Sequence, residues 1–284
     1  MNTKIDRIAL YTFIYKKFSI NYMMEALKKA DVKEIEFHAT APHYCHCDDL
    51  PATKQELEDM RTSLHGVAAE NDVKIGCFVP EGTDYPINIA SEDNYFREKS
   101  VRYFLEYLED LPGLGCDTML VTPGWDYFDH SPAEFQKAWN RARISLKRIA
   151  KRAEELSVTV CLKPVTRTST NLVYNLKTLV RMITEVGSDN LKASIDLYNL
   201  EETGDTIAEY FELFPNKVGY FHCYYNLDEE GKASEEDTKN LLGWLEELNN
   251  YGYDGPIGLE LNYECWLDPA KYTKLLMDHL REIL

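Results

Sequence analysis

Four short apolar stretches in the second half of the chain each run into an ionisable residue. Val158–Leu162 leads to Lys163, Ala193–Ile195 to Asp196, Gly219–Phe221 to His222, and Ile257–Leu259 to Glu260. Pro164 follows Lys163 directly and ends that strand, because proline cannot donate the next ladder hydrogen bond. The charged groups therefore stand at the carboxyl ends of consecutive strands. An ammonium, two carboxylates and an imidazole converging on one point make either a reactive site or a structural ion cluster.

The elements that position these groups repeat along the chain. Strand patterns at 7–13, 34–38, 74–79 and 118–121 precede the four just named. Helical patterns at 20–30, 53–70, 92–111, 132–156, 175–186, 205–214, 234–251 and 269–284 alternate with them. Strands alternating with helices imply parallel βαβ crossovers. Eight such units in 284 residues predict an α/β fold, a closed (β/α)8 TIM barrel, as one domain over 1–284. Such barrels typically take about 250 residues and carry their working groups at the carboxyl ends of the strands.

Composition narrows the function. A hydrophobic fraction of 44% with 28% charged residues is that of a globular chain with a large core. The net charge of −17, from 48 acidic and 31 basic residues, argues against a nucleic-acid partner, whose phosphates need lysine and arginine. No apolar run reaches the roughly 18 residues of a membrane span, and the first residues lack a signal-peptide pattern. A cytoplasmic protein is expected. Seven scattered cysteines fit reduced thiols rather than a disulfide framework.

At its strand ends the sequence resembles the xylose-isomerase-like barrel superfamily of sugar isomerases and epimerases. Asp196 in SIDLYN, His222 in YFHCYY and Glu260 in GLELNYE match three of that family's four metal-ligating positions. Pro80–Pro86, Ala41-Pro42-His43 and Lys163–Asn171 resemble the loops of the ketose epimerase branch, fructoselysine epimerase-like proteins above all. The resemblance implies a small carbohydrate substrate, a homo-oligomer, and one divalent metal (Mn, Mg, Co or Zn) held by Asp196, His222 and Glu260. It also implies that a glutamate should stand where this chain has Lys163. In the family that glutamate ligates the metal and, with the one on strand eight, forms the acid/base pair.

Isomerising a ketose requires a proton to leave the carbon next to the carbonyl and the resulting enediolate to be stabilised. A divalent metal does the second job as a Lewis acid. With Lys163 in the fourth ligand position, a protonated ammonium repels the cation, and a neutral amine needs its pKa several units below the usual ~10.4. The alternative is that no metal binds and the ammonium takes the cation's place, neutralised by Asp196 and Glu260. Lys163 could then polarise a carbonyl, act as acid while Glu260 acts as base, or form a Schiff base. The expectation is a sugar isomerase or epimerase with Glu260 and Lys163 as catalytic residues. The alternative is a barrel that binds sugar without turning it over.

Further candidates lie in the loops. His43, Glu81, Trp125, His222 and Glu264 are the expected substrate contacts. His43-Tyr44-Cys45-His46-Cys47 packs two histidines and two cysteines together, but its spacing is not that of a structural zinc site. His38 closes the second strand pattern. The absence of a glycine-rich phosphate loop weakens a nucleotide-binding reading.

Overall fold

The computed structural model describes residues 4–46, 53–82 and 87–284. Cys47 and the stretch 83–86 from the loops named above lie outside them. The strands are β1 (Ile8–Tyr11), β2 (Glu34–Ala39), β3 (Lys74–Pro80), β4 (Thr118–Val121), β5 (Thr159–Leu162), β6 (Leu191–Asp196), β7 (Val218–Tyr225) and β8 (Ile257–Leu261). They follow one another in chain order around a closed barrel, the eight-stranded parallel TIM barrel the repeat predicts. The helices among the described residues are α1 (Ile20–Lys29), α2 (Lys54–Glu70), α3 (Asn94–Leu114), α4 (Pro132–Glu155), α5 (Leu176–Val186), α6 (Leu197–Thr203), α7 (Ile207–Leu213), α8 (Glu235–Asn250) and α9 (Pro269–Ile283).

Local chemistry sets where the helices start. Thr53 and Glu56 form a reciprocal capping box at α2, and Ser131 and Glu134 form another at α4, where Pro132 opens the first turn. Asn175 and Thr178 do the same at α5, and Gly187, in the left-handed conformation, ends that helix. Two elements differ from the sequence pattern. His222 is the fifth of the eight residues of β7 rather than its last, because Cys223-Tyr224-Tyr225 continue the strand without a breaker. The short helix α6 follows β6 at once, capped by Asp196 itself.

The chain forms two compact units. One gathers Met1–Phe78, Gly113–Cys116 and His222–Leu284; the other gathers Val79–Pro112 and Asp117–Phe221. In the first, β1 pairs in parallel with β2, Tyr11 beside Glu36, and with β8, Leu10 beside Leu259. Helix α9 packs on α1, and Arg281 donates across to the Ala30 carbonyl at 2.7 Å. In the second unit, β4 pairs with β5 and β5 with β6, all parallel. Gly219 lies against this sheet: a Cβ there would come within 2.6 Å of Cys161 Sγ, so only glycine fits. Helices α4 and α5 pack together outside, with Arg181 stacked 4.0 Å over the Trp139 ring.

Candidate active site

Two clusters of ionisable groups stand on or just after the barrel strands, one in each unit. In the first unit, β2, β7 and β8 bring Glu36, His222 and Glu260 together. His222 Nδ1 lies 2.8 Å from Glu36 Oε2, and Nε2 lies 3.2 Å from Glu260 Oε2. The Glu36 and His222 side chains are 0% and 1% exposed, whereas that of Glu260 is 21% exposed. A neutral imidazole carries one N–H. Two nitrogens that each meet a carboxylate therefore need two protons shared among the three groups. Glu36 anchors the ring through Nδ1, and the ring's other nitrogen steers Glu260, the one of the two carboxylates that reaches solvent.

Aromatic and polar groups brace this cluster. The Tyr11 ring meets the His222 ring edge-on at 5.5 Å, and the Tyr11 hydroxyl hydrogen-bonds His38 Nδ1 at 2.9 Å. His38 is buried, and Thr12 Oγ1 accepts its backbone N–H. Phe13 and Trp266 extend the wall at 4.7 and 4.8 Å centroid spacing. Just beyond β8, the Asn262 amide binds Leu227 both ways, accepting its N–H at 2.9 Å and donating to its carbonyl at 3.0 Å. That clamp fixes where the chain leaves Glu260.

In the second unit, Lys163 and Asp196 form an ion pair, with Nζ 2.7 Å from Oδ2. The lysine side chain is 22% exposed and the aspartate 5%. Asp196 Oδ1 meanwhile accepts the Asn199 N–H at 3.2 Å and caps α6. Asn199 in turn donates to the Tyr174 carbonyl at 2.8 Å. The carboxylate is thus held by backbone geometry on one side and by an ammonium on the other.

The expected substrate contacts are placed as follows. His43 lies in the loop after β2, its Nε2 2.7 Å from the Phe18 carbonyl, an arrangement that ties loop to loop. Glu81 follows β3 and is half-buried. Trp125 is half-buried after β4, its backbone clamped on both sides by the Asn88 amide and its ring 5.7 Å from that of Tyr127. Glu264 is exposed beyond β8 and accepts from Asn262 at 2.7 Å. Glu36 is the residue the strand pattern hides. It occupies a polar position in the alternation Glu34-Ile35-Glu36-Phe37-His38, which by itself reads as a solvent face. In a closed barrel that face is the interior.

The groups present do not fit a divalent metal. Among the described residues no three histidine, cysteine or acidic side chains are arranged to hold one. An ammonium sits on Asp196, and both ring nitrogens of His222 are engaged by carboxylates.

A sequence profile of the xylose isomerase-like TIM barrel family matches residues 24–283, and the chain belongs to that family. It is 20% identical to fructoselysine 3-epimerase of Escherichia coli O157:H7, over 98% of both chains. It is 22% identical to D-psicose 3-epimerase of Ruminiclostridium cellulolyticum, over 72% of this chain and 68% of that one. Its fold is similar to that of the solved 3-keto-D-glucoside 4-epimerase from E. coli, with a TM-score of 0.74 at 17% identity, covering 97% of this chain and 99% of the other. No helix among the described residues is long and apolar enough to cross a membrane.

Proposed function

We propose that this protein is a sugar isomerase or epimerase that acts on a small ketose or ketose derivative by proton transfer next to the carbonyl. The observation that carries the reading is the Glu36–His222–Glu260 cluster, in which a buried imidazole holds a partly exposed carboxylate at a strand end. Glu260 is the base. With Oε2 on His222, its other oxygen is the one to take the proton. As that proton leaves carbon, its electron pair moves onto the carbonyl oxygen and gives an enediolate. Lys163 is the electrophile that stabilises the developing oxyanion, and Asp196 orients it. Return of the proton to the neighbouring carbon, with the adjacent hydroxyl's proton passing to the former carbonyl oxygen, gives isomerisation; protonation of the same carbon with inverted configuration gives epimerisation.

The relatives named above act, by their names, on fructoselysine and D-psicose, which carry a ketone beside a carbon-bound hydrogen. A ketohexose or an amino-substituted ketose is accordingly the proposed substrate class, with His43, Glu81, Trp125 and Glu264 as its contacts. Cytoplasmic residence is proposed from the scattered pattern of the seven cysteines, and assembly as a homo-oligomer on the resemblance alone, to be read by light scattering.

The test is solvent exchange. Incubation with a panel of ketohexoses and fructosamines in D2O, followed by proton NMR, is expected to show loss of the signal next to the carbonyl for at least one member. Glu260→Gln should abolish that exchange. Saturable sugar binding without exchange across the panel would leave a binding barrel and end the catalytic reading.

A further inference from the structure

The family's fourth ligand position deepens this reading and rests on it: Lys163 and Asp196 are taken as part of the sugar site. We infer that the Lys163 ammonium replaces the divalent cation on Asp196, so that the site works on its sugar without a metal.

Replacing a carboxylate by an ammonium at this position removes one negative charge and adds one positive charge. That change of two units equals the charge of the ion the carboxylate would have helped to hold. The geometry matches the arithmetic. Lys163 Nζ is 2.7 Å from Asp196 Oδ2, a charge-assisted contact, and the aspartate is almost wholly buried. Its other oxygen is committed to the first turn of α6 through the Asn199 N–H. Pro164, directly after the lysine, and the backbone bond from Lys163 N–H to the Val121 carbonyl at 2.9 Å fix where the side chain leaves the strand. A cation entering here would have to displace the ammonium or accept it as a neighbour of like charge. For the reaction, an ammonium supplies what the ion would: positive charge and directed contact at the oxygen where charge develops. It does so as a hydrogen-bond donor rather than as a Lewis acid.

The experiment is elemental analysis of the full chain, expressed with Mn2+ in the medium and then dialysed, alongside Lys163→Glu treated identically. Manganese uptake is followed by electron paramagnetic resonance and by the unfolding midpoint. The native protein is expected to hold far less than one equivalent of any transition metal and to show no midpoint shift with Mn2+. Lys163→Glu is expected to take up about one equivalent and to melt several degrees higher with saturating Mn2+. Stoichiometric metal in the native protein overturns the inference. So does a folded Lys163→Glu that gains none. Should that variant fail to fold, Lys163→Ala removes the ammonium without adding a ligand; weak Mn2+ binding gained there supports the inference, and none gained overturns it. None of these readouts needs turnover. Failure of the exchange test therefore leaves the cation replacement standing, and metal in the native protein leaves the epimerase reading standing.

Discussion

The two clusters differ in how they are built. Glu36 and His222 are buried, and the contact between them joins residues 186 positions apart in sequence, so it exists only once β2 and β7 are in place. Lys163 and Asp196 need only their own unit, and the lysine keeps about a fifth of its surface in water. The first cluster is therefore a fixture of the fold with one partly exposed end, whereas the second is a soft pair only on its cation's side, a partly exposed ammonium on a nearly buried carboxylate. On the proposed mechanism, one substitution changes the electrophile more readily than the base, whose orientation depends on three strands.

That contrast predicts where activity and stability separate. Glu260→Gln should lower turnover by about 10²- to 10⁴-fold, the usual worth of a positioned acid or base, with the unfolding midpoint little changed. Turnover that survives this substitution would mean the buried cluster is structural after all. Glu36→Ala should cost about 3–5 kcal/mol in urea unfolding, because it leaves the buried imidazole without its anchor. Glu36→Gln should recover much of that stability by offering an amide oxygen to Nδ1. A Glu36→Ala protein as stable as the parent would dissolve the distinction between the clusters.

On the other side, Lys163→Met leaves the nearly buried Asp196 carboxylate with its Asn199 contact but without its counter-ion, so stability should fall by about 1–3 kcal/mol, less than for Glu36→Ala, while turnover falls sharply. Loss of stability as large as that of Glu36→Ala would make the second cluster a fixture too.

What the sequence reveals and hides follows the same division. Thr118–Val121 is legible to the residue because Asp117 and Pro123-Gly124 punctuate it. Asp196 is legible as a chemical group but not as a helix cap, although Gly204 eight residues on, with φ 74°, marks the end of the seven-residue α6 it starts. A helix that short has too few positions for an apolar period to show. Strand β7 reads short because nothing in Cys223-Tyr224-Tyr225 disfavours the β region and nothing local announces its continuation. Glu36 is hidden for a different reason. Period-two alternation separates two faces but does not say which is wet, and barrel closure buries both. The available sign is an acidic residue and a histidine on one face of a strand, Glu36 and His38, in a fold whose interior has no solvent face.

A third ion pair, remote from the strand ends, calibrates these effects. Burial raises the Glu185 carboxyl, but the Trp139 indole N–H at 2.7 Å and the Arg181 guanidinium at 2.7 Å outweigh it and hold it below its ordinary value of 4.5. A depressed folded-state pKa gives stability that is present above the unfolded value and lost as pH falls through the folded one. The midpoint difference between the parent and Glu185→Gln should therefore be full at pH 6 and shrink steadily below about pH 4.5. With roughly a third of its surface in water, Glu185 should give the smallest effect of the set. If this peripheral pair matched Glu36→Ala in size, burial would not be what separates the fixture from the soft pair, and the comparison between the two clusters would need another physical basis.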